Sequence, residues 1–404
     1  MRIFYITFLP DMSYPDLRII VLSPYCLLRP TTNRIYDMRM SDALAGHGAE
    51  VEIVYPYTYM RDNIRRAEIP KMYGTRFSVR ERMHWTPLRE HSPSWWRIGW
   101  IMFAFSMTAL RLRFFSGKRK QTLVFSRDPN LLLPILLLMK WLGGRPAIRT
   151  VFLLAEMKDR KLYKWVAKNS DFLLAGVSAT KDAVRKLVDV PEDRFMLALA
   201  PVPAYPNDCT KEEARRRIGY SEKAPLVVYT GKLGLSNREV RHILEAAGLE
   251  PNYRFLFTGG RASTVEAIKA WCAERNIRNV ILTGFLNDST AIRDYQLAAD
   301  VLVSYYTSED HMVEFNYPQK INEYLSTGNP VVTPDFAATR DVINDRNVIF
   351  VEPDDSKALL NGIRKAIEQP EWAAGIAAQA KKDVAPLSFD ERTGAWLRFV
   401  LKRD

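Results

Sequence analysis

Residues Ser304–Asp335, SYYTSEDHMVEFNYPQKINEYLSTGNPVVTPD, decide the reading of the chain. They open on the end of an apolar, β-branched run, Ala298–Tyr306, which predicts a buried strand. Several polar residues follow. A helix is expected over Pro318–Ser326, with Pro318 in its first turn, where a missing N–H costs nothing. Gly328 lies just past the helix end, where a left-handed residue is wanted. Pro330–Thr333 reads as the next strand. Strand, polar loop, helix and strand make one unit of a parallel sheet, and such sheets bind ligands beyond the carboxyl ends of their strands. The helix start offers free N–H groups and a positive dipole end, which suits a phosphate. Lys320 adds a charge there, and Glu323, one turn on, is placed to accept hydrogen bonds from ribose hydroxyls. An ordinary βα unit with a surface Lys and Glu also fits these residues.

Working outward, 404 residues are long for one core and suit two domains of roughly 200 residues. A hydrophobic fraction of 47% with mixed charges is that of a globular protein. The formal charge of +12 points to an anionic partner. Cys26, Cys209 and Cys272 are far apart, so neither a disulfide framework nor a metal site is expected, and a reducing, cytoplasmic setting fits. Five scattered histidines without a His-x-x-x-His pair argue against a zinc enzyme. No signal peptide is expected at Met1–Pro10, and no segment reaches ~20 uncharged apolar residues.

The chain alternates strands and helices. Arg18–Ser23 is the first confident strand. A helix Asn33–Gly46, capped by Thr31 or Thr32, and a strand Val51–Tyr55 follow. His47, at the helix end, reads as structural. Further strands are expected at Thr122–Asp128, Pro146–Glu156 and from Asp171, the last leading to a helix capped by Ser178. Pro201–Cys209 is Pro-rich and reads as an interdomain linker. Leu226–Thr230, Tyr253–Gly260, Val280–Asp288 and Asn347–Asp355 are the later strands, with a helix from about Asn237 after the first of them. Residues 57–121 are hardest to place. They include SPSWWRIGWIMFAFSMTALRLRFFSGKRKQ, a basic aromatic helix that suits either the plane of an anionic bilayer or a buried position with basic ends. No nucleic-acid module accompanies it, so no nucleic-acid partner is expected.

PQKINEY followed by STGNPVV resembles the donor-site segment of retaining nucleotide-sugar glycosyltransferases of the GT-B fold, in particular the family-4 group. The resemblance covers about residues 18–401 and is strongest over 226–353. It implies two Rossmann-like, doubly wound α/β domains facing a cleft. The N-terminal, acceptor-binding domain is placed at 1–205, with a C-terminal helix within 386–404 packing back on it. The C-terminal, nucleotide-sugar-binding domain is placed at 206–385. The resemblance gives Glu323 to the ribose, and Lys232 and Arg238 to the donor diphosphate. Two cations beside a helix start would stabilise the departing nucleoside diphosphate without a metal ion. These three are the expected catalytic residues, and no cofactor is expected. Gly231, Gly259, Gly260, Gly284, Phe285, Leu286, Glu314, Asn316, Tyr317, Pro318 and Lys320 are expected around the donor, with Gly284, Phe285 and Leu286 over the base. Arg29, Thr32, Asn33 and Glu156 are expected on the acceptor side.

The sequence departs from the family in three places. The first strand-to-helix loop lacks the family's usual Gly pair and holds Arg29 and Arg34 instead. Many members carry a second Glu eight residues before the first, where this chain has Phe315 beside Glu314. Many relatives also place a His after the strand that ends here near Glu156, and no His is present. The expected activity is transfer of a sugar, with retention, to a glycan or lipid-linked glycan, at the cytoplasmic face of an anionic membrane. A non-catalytic GT-B binding protein is the main alternative. A nucleotide-sugar epimerase on the same fold is less favoured, because its carboxylate and His set is lacking.

Overall fold

In the first half of the chain, seven strands form one sheet, whose central members are near-continuous apolar runs buried on both faces, as parallel sheets require. The strands are β1 (Leu17–Leu22), β2 (Glu50–Tyr59), β3 (Arg80–Arg89), β4 (Gln121–Ser126), β5 (Ile148–Leu154), β6 (Phe172–Ala175) and β7 (Phe195–Leu197), in the order β3-β2-β1-β4-β5-β6-β7. The helices between them are α1 (Thr32–Gly46), α2 (Ser94–Phe115), α3 (Pro129–Trp141), α4 (Lys161–Asn169) and α5 (Ser178–Leu187). The structure is a computed structural model. It describes residues 13–28, 32–59, 68–69, 73, 75–77, 79–89, 94–115, 121–141, 148–154, 160–203, 205, 209–236, 238–286, 289–309, 313–315 and 317–401.

One face of this sheet, with Ile20, Leu22, Val54, Val124 and Phe152, packs on Phe105 of α2, Leu132 of α3 and Val166 of α4. Residues 57–121 hold β3, which the sequence did not place, and α2, within the stretch expected as a basic aromatic helix. β2 runs on to Tyr59 rather than stopping at Tyr55, because β3 pairs along it from Glu52↔Arg80 to Tyr59↔Arg89.

The second half forms β8 (Leu226–Thr230), β9 (Arg254–Thr258), β10 (Val280–Gly284), β11 (Val301–Val303), β12 (Val331–Pro334) and β13 (Ile349–Val351), parallel and ordered β10-β9-β8-β11-β12-β13. Its helices are α6 (Lys211–Arg217), α7 (Arg238–Leu249), α8 (Ala262–Glu274), α9 (Ser289–Ala298), α10 (Gln319–Leu325), α11 (Ser356–Glu368) and α12 (Pro370–Val384). Val227, Tyr229, Phe255 and Val303 face α7, α8 and α11, while Leu226, Val228, Leu256 and Leu302 face α9 and α10. Both halves are therefore Rossmann-like α/β domains.

The chain divides into one unit of Met1–Ala175, Ala183–Met196 and Phe389–Asp404, and a second of Gly176–Asp182 and Leu197–Ser388. The second unit thus starts earlier than the Pro-rich stretch. The reason is local: Val202 N–H donates to the Leu387 carbonyl at 2.7 Å, and Asn322 donates to the Ala200 carbonyl at 2.5 Å. Ser178 is not the cap of α5. It is the first helical residue, and its N–H is taken by Asp341 at 2.6 Å. The last helix, α13 (Phe389–Leu401), belongs to the first unit. Its Phe389, Trp396 and Phe399 stack on Tyr36, Phe125 and Phe172 at 5.9, 5.7 and 5.6 Å. His47 Nε2 lies 2.9 Å from the Asp390 carbonyl and 3.1 Å from Thr393 Oγ1, the structural use expected of it.

A buried ion cluster ties three strands and one helix of the first unit together. The Glu52 carboxylate, wholly buried on β2, meets Arg18 of β1 at 2.8 Å, Arg111 of α2 at 2.9 Å, and Arg82 of β3. Burial disfavours its charge, but bonds from Arg111, Arg82 and Arg18 outweigh that and hold its pKa at about 2 instead of 4.5. A depressed carboxyl pKa contributes stability that is complete above about pH 4.5 and lost as pH falls toward 2. Glu52→Gln should therefore lower unfolding free energy at neutral pH by about 3 kcal/mol. It should also flatten the acid limb of a urea stability-versus-pH profile. An unchanged acid limb would contradict this role.

Candidate functional site

From β8 the sheet of the second unit grows both ways, with β9 on one side and β11 on the other. Open parallel sheets take their ligands at such a reversal, beyond the carboxyl ends of the strands. Here those ends are glycines. Gly231 follows β8, Gly259 and Gly260 follow β9, and Gly284 closes β10. The ladder continues into this row: Gly231 N–H donates to Thr258 at 3.0 Å, and Gly259 N–H to Gly284 at 2.9 Å. A Cβ on Gly259 would sit 2.0 Å from the Gly231 carbonyl oxygen, at a φ of +132° that L residues rarely adopt. The row thus leaves bare backbone where a ligand could approach.

Lys320 of α10 reaches this row. Its Nζ donates to Tyr229 Oη at 3.1 Å and lies 4.3 Å over the centre of that ring and 5.1 Å from that of Tyr306. A Cβ on Gly231 would be 3.2 Å from this Nζ and 3.2 Å from Tyr229 Oη. Tyr229 Oη in turn donates to Glu239 Oε1 at 2.9 Å, in the first turn of α7. Burial pushes the Tyr229 phenol well above its ordinary value, and Glu239 pushes it further, so it stays a donor. Burial pushes the Lys320 ammonium below its ordinary value, and Glu239 and Glu323 offset only part of that. The cation is thus steered to the end of β8 by an aromatic face and a carboxylate one bond further on.

Glu323, one turn along α10, is half-buried. Gln296 Nε2 reaches its Oε2 at 3.4 Å and Thr230 Oγ1 at 3.3 Å. Tyr324 Oη accepts from Thr230 N–H at 2.7 Å and donates to the Thr230 carbonyl at 3.1 Å, fixing α10 to the last residue of β8. Arg238 is the first residue of α7 and is half exposed, paired with Glu309 from the loop after β11. Lys232 is exposed, and its carbonyl lies 3.3 Å from Tyr229 Oη. Lys232, Lys320 and Glu323 are therefore linked at the end of β8 through Tyr229, Gln296 and Thr230, beside the row of Gly231, Gly259, Gly260 and Gly284, while Arg238 opens α7 and pairs with Glu309.

Other expected residues stand differently. Phe285 is 60% exposed and Leu286 half-buried, both directly after Gly284. Glu314 is exposed. Phe315 accepts from Thr180 Oγ1 at 3.0 Å through its carbonyl. Tyr317 is a correction: its ring is buried in the core, and its hydroxyl donates to Asn322 at 2.6 Å. Pro318 is the cap of α10 rather than a residue of its first turn, because φ −69° with ψ 116° is extended backbone. Asn316, Arg29, Glu156 and the capping candidate Thr31 lie outside the described residues, as does Asn237. Thr32 and Asn33 open α1, but their side chains are not described.

Tyr229, Glu239, Gln296 and Glu309 were missed from sequence. Alternation along β8 turns Tyr229 to the face that carries α7, a signal that was available. No sequence signal pairs Arg238 with Glu309, which is 71 residues away.

Residues 224–369 match the family model described as Glycosyl transferases group 1. This stretch is similar to group 1 glycosyltransferase domains. It holds the glycine row, Lys232, Arg238, Lys320 and Glu323. A Bacillus subtilis (strain 168) protein assigned to teichuronic acid biosynthesis as glycosyltransferase TuaC is 23% identical over 219 residues, covering 54% of this chain and 52% of its own length. The match thus spans about half of that relative. A D-inositol 3-phosphate glycosyltransferase of Xylanimonas cellulosilytica is 23% identical over 286 residues, covering 64% of this chain and 67% of that one. Among solved structures, sucrose-phosphate synthase from Thermosynechococcus elongatus superposes with a TM-score of 0.70 at 17% identity, over 96% of this chain and 100% of that one. Anabaena HepE, solved with UDP, gives 0.69 at 13% identity over 94% and 99%. These structural likenesses cover both units and give the fold, GT-B, around the matched stretch.

Proposed function

We propose that the protein transfers a sugar from a nucleoside-diphosphate donor to a glycan or lipid-linked glycan, with retention at the anomeric carbon. The observation that carries this reading is the meeting of Lys320, Tyr229 and the glycine row at the end of β8, inside the matched stretch. The donor pyrophosphate lies over the bare backbone of Gly231 and Gly259. Lys320, Lys232 and Arg238 face it, Arg238 exchanging Glu309 for phosphate oxygens. Glu323, held by Gln296, accepts from the ribose hydroxyls, and the base rests near Gly284, Phe285 and Leu286. The relative HepE has been solved with UDP and with UDP-glucose, which supports a donor of that class.

In the reaction the bond from the anomeric carbon to the phosphate oxygen breaks, and a bond to the acceptor oxygen forms on the same face. The acceptor's proton passes to the leaving phosphate. Negative charge grows on that phosphate, and the three cations that face it stabilise it there, so the proposed step uses no metal ion. The free thiols Cys26, Cys209 and Cys272 suit a reducing compartment, and we assign the protein to the cytoplasm.

Incubation with a panel of radiolabelled nucleotide sugars tests the reading. Release of label by transfer or hydrolysis is the expected result. Nucleotide binding without turnover of any donor would favour a binding protein, the reading to which Phe315, in place of the family's second Glu, lends some weight.

A further inference from the structure

Helix α2 carries a surface that the transfer chemistry does not use. Its inner side, Ala104, Phe105, Thr108, Ala109 and Leu112, is buried, four of these residues in the core of the first sheet. Its outer side leaves Trp96, Phe103 and Met107 exposed by 51%, 56% and 44%. Half-buried Trp100 and Leu110 fill the gaps, with the Trp100 and Phe103 rings 5.6 Å apart. Spacings of four, three, four and three residues put all five on one helical stripe. Ile98, in the first turn, is a further exposed apolar residue, at 44%. An exposed apolar stripe of this size on a soluble surface marks a place that is covered in use.

The charge around the stripe says what covers it. Residues 91–127 contain seven Arg and Lys and no Asp or Glu. Arg111 and Arg127 face Glu52 and Asp37 within the fold. The other five, Arg97, Arg113, Lys118, Arg119 and Lys120, flank or follow the stripe in sequence. A second copy of the chain seated here would bring the same cations against themselves. A surface of lipid phosphates would meet them with opposite charge. No helix among the described residues is long and apolar enough to cross a membrane, so the stripe lies on a bilayer instead of spanning one.

We propose that α2 docks the protein on the surface of an anionic phospholipid bilayer. Trp96, Trp100, Phe103, Met107 and Leu110 enter the interface, and the basic sequence on either side of the stripe favours headgroups of opposite charge. Arg111, anchored on Glu52, holds the helix to the sheet from its other side. This docking goes beyond the donor chemistry and does not depend on it.

Sedimentation of the full chain with vesicles tests it, with no donor present. The protein should pellet with phosphatidylcholine–phosphatidylglycerol vesicles at about 0.1 M salt and far less with phosphatidylcholine alone. The variant Trp96→Ser/Phe103→Ser/Met107→Ser should lower the anionic-vesicle partition at least about tenfold. Its melting temperature and nucleotide affinity should stay at wild-type values. Should that variant misfold, Phe103→Glu alone should reduce the partition, while Phe103→Trp should retain it. Lys118→Gln/Arg119→Gln/Lys120→Gln should weaken binding to anionic vesicles most at low salt. The proposal is overturned if the wild-type chain stays in the supernatant with anionic vesicles. It is also overturned if the stripe variants partition like wild type, or if light scattering shows a dimer that the stripe variant dissolves.

Discussion

Gly259→Ala should abolish nucleotide binding and destabilise the second unit by at least about 3 kcal/mol. The methyl group would stand 2.0 Å from the Gly231 carbonyl oxygen, a backbone atom with no rotamer to escape by. Gly231 has little room to yield, since even a Cβ built on it would meet Lys320 Nζ and Tyr229 Oη at 3.2 Å. Relief of the clash must move the end of β8, and the Lys320 head with it. Gly284→Ala is the control. Its φ is +75°, but the nearest atom to an added Cβ is Val265 Cγ2 at 4.0 Å. Only backbone strain remains there, about 1 kcal/mol. Urea unfolding and nucleotide titration of both variants separate the effects. Equal behaviour would mean that the glycine row is not a tightly fitted floor.

Lys232→Ala should lower kcat by about 100-fold and change the donor KM much less. The side chain is exposed beside Gly231, free of any role in the core, so its loss should leave the melting temperature unchanged. A cation that meets charge developing on the leaving phosphate stabilises the transition state more than the bound donor, and that difference appears in kcat. Lys320 cannot take over, because the Tyr229 hydroxyl and ring hold its head. Steady-state kinetics with the donor found active in the panel decides the point. An unchanged kcat would remove Lys232 from the chemistry.

The parts of the site legible in the sequence were those fixed by local register. PQKINEY sets Lys320 and Glu323 one turn apart on one helix, and STGNPVV sets the strand after it, so both positions follow from spacing alone. The glycines after β8, β9 and β10 were legible for a similar reason: each closes an apolar run. The Lys320–Tyr229–Glu239 chain was not legible, because it joins a strand end, a helix start and a helix 91 residues away from that strand. Tyr317 misled because a polar neighbourhood in sequence gave no sign that Asn322 would take its hydroxyl into the core.

In the first unit the basic residues of 57–121 carried no sign of their partners in the sequence. In the fold Arg80 pairs with Glu50 at 3.3 Å, and Arg82 and Arg111 close on Glu52, 30 and 59 residues away. Such long-range neutralisation leaves no local pattern, which is why β3 could not be placed beforehand. The heptad-like stripe of α2, by contrast, was visible as composition, and its exposure is what the structure adds.

The central claim is that the carboxyl edge of the second sheet grips a nucleoside diphosphate. Calorimetric titration of the full chain with UDP, GDP and ADP, for wild type and Glu323→Ala, tests it most directly. The account predicts that wild type binds at least one of the three and that Glu323→Ala binds it at least about tenfold more weakly, as loss of charged hydrogen bonds to the ribose requires. Failure of all three nucleotides to bind, or equal affinity in the two proteins, would contradict it.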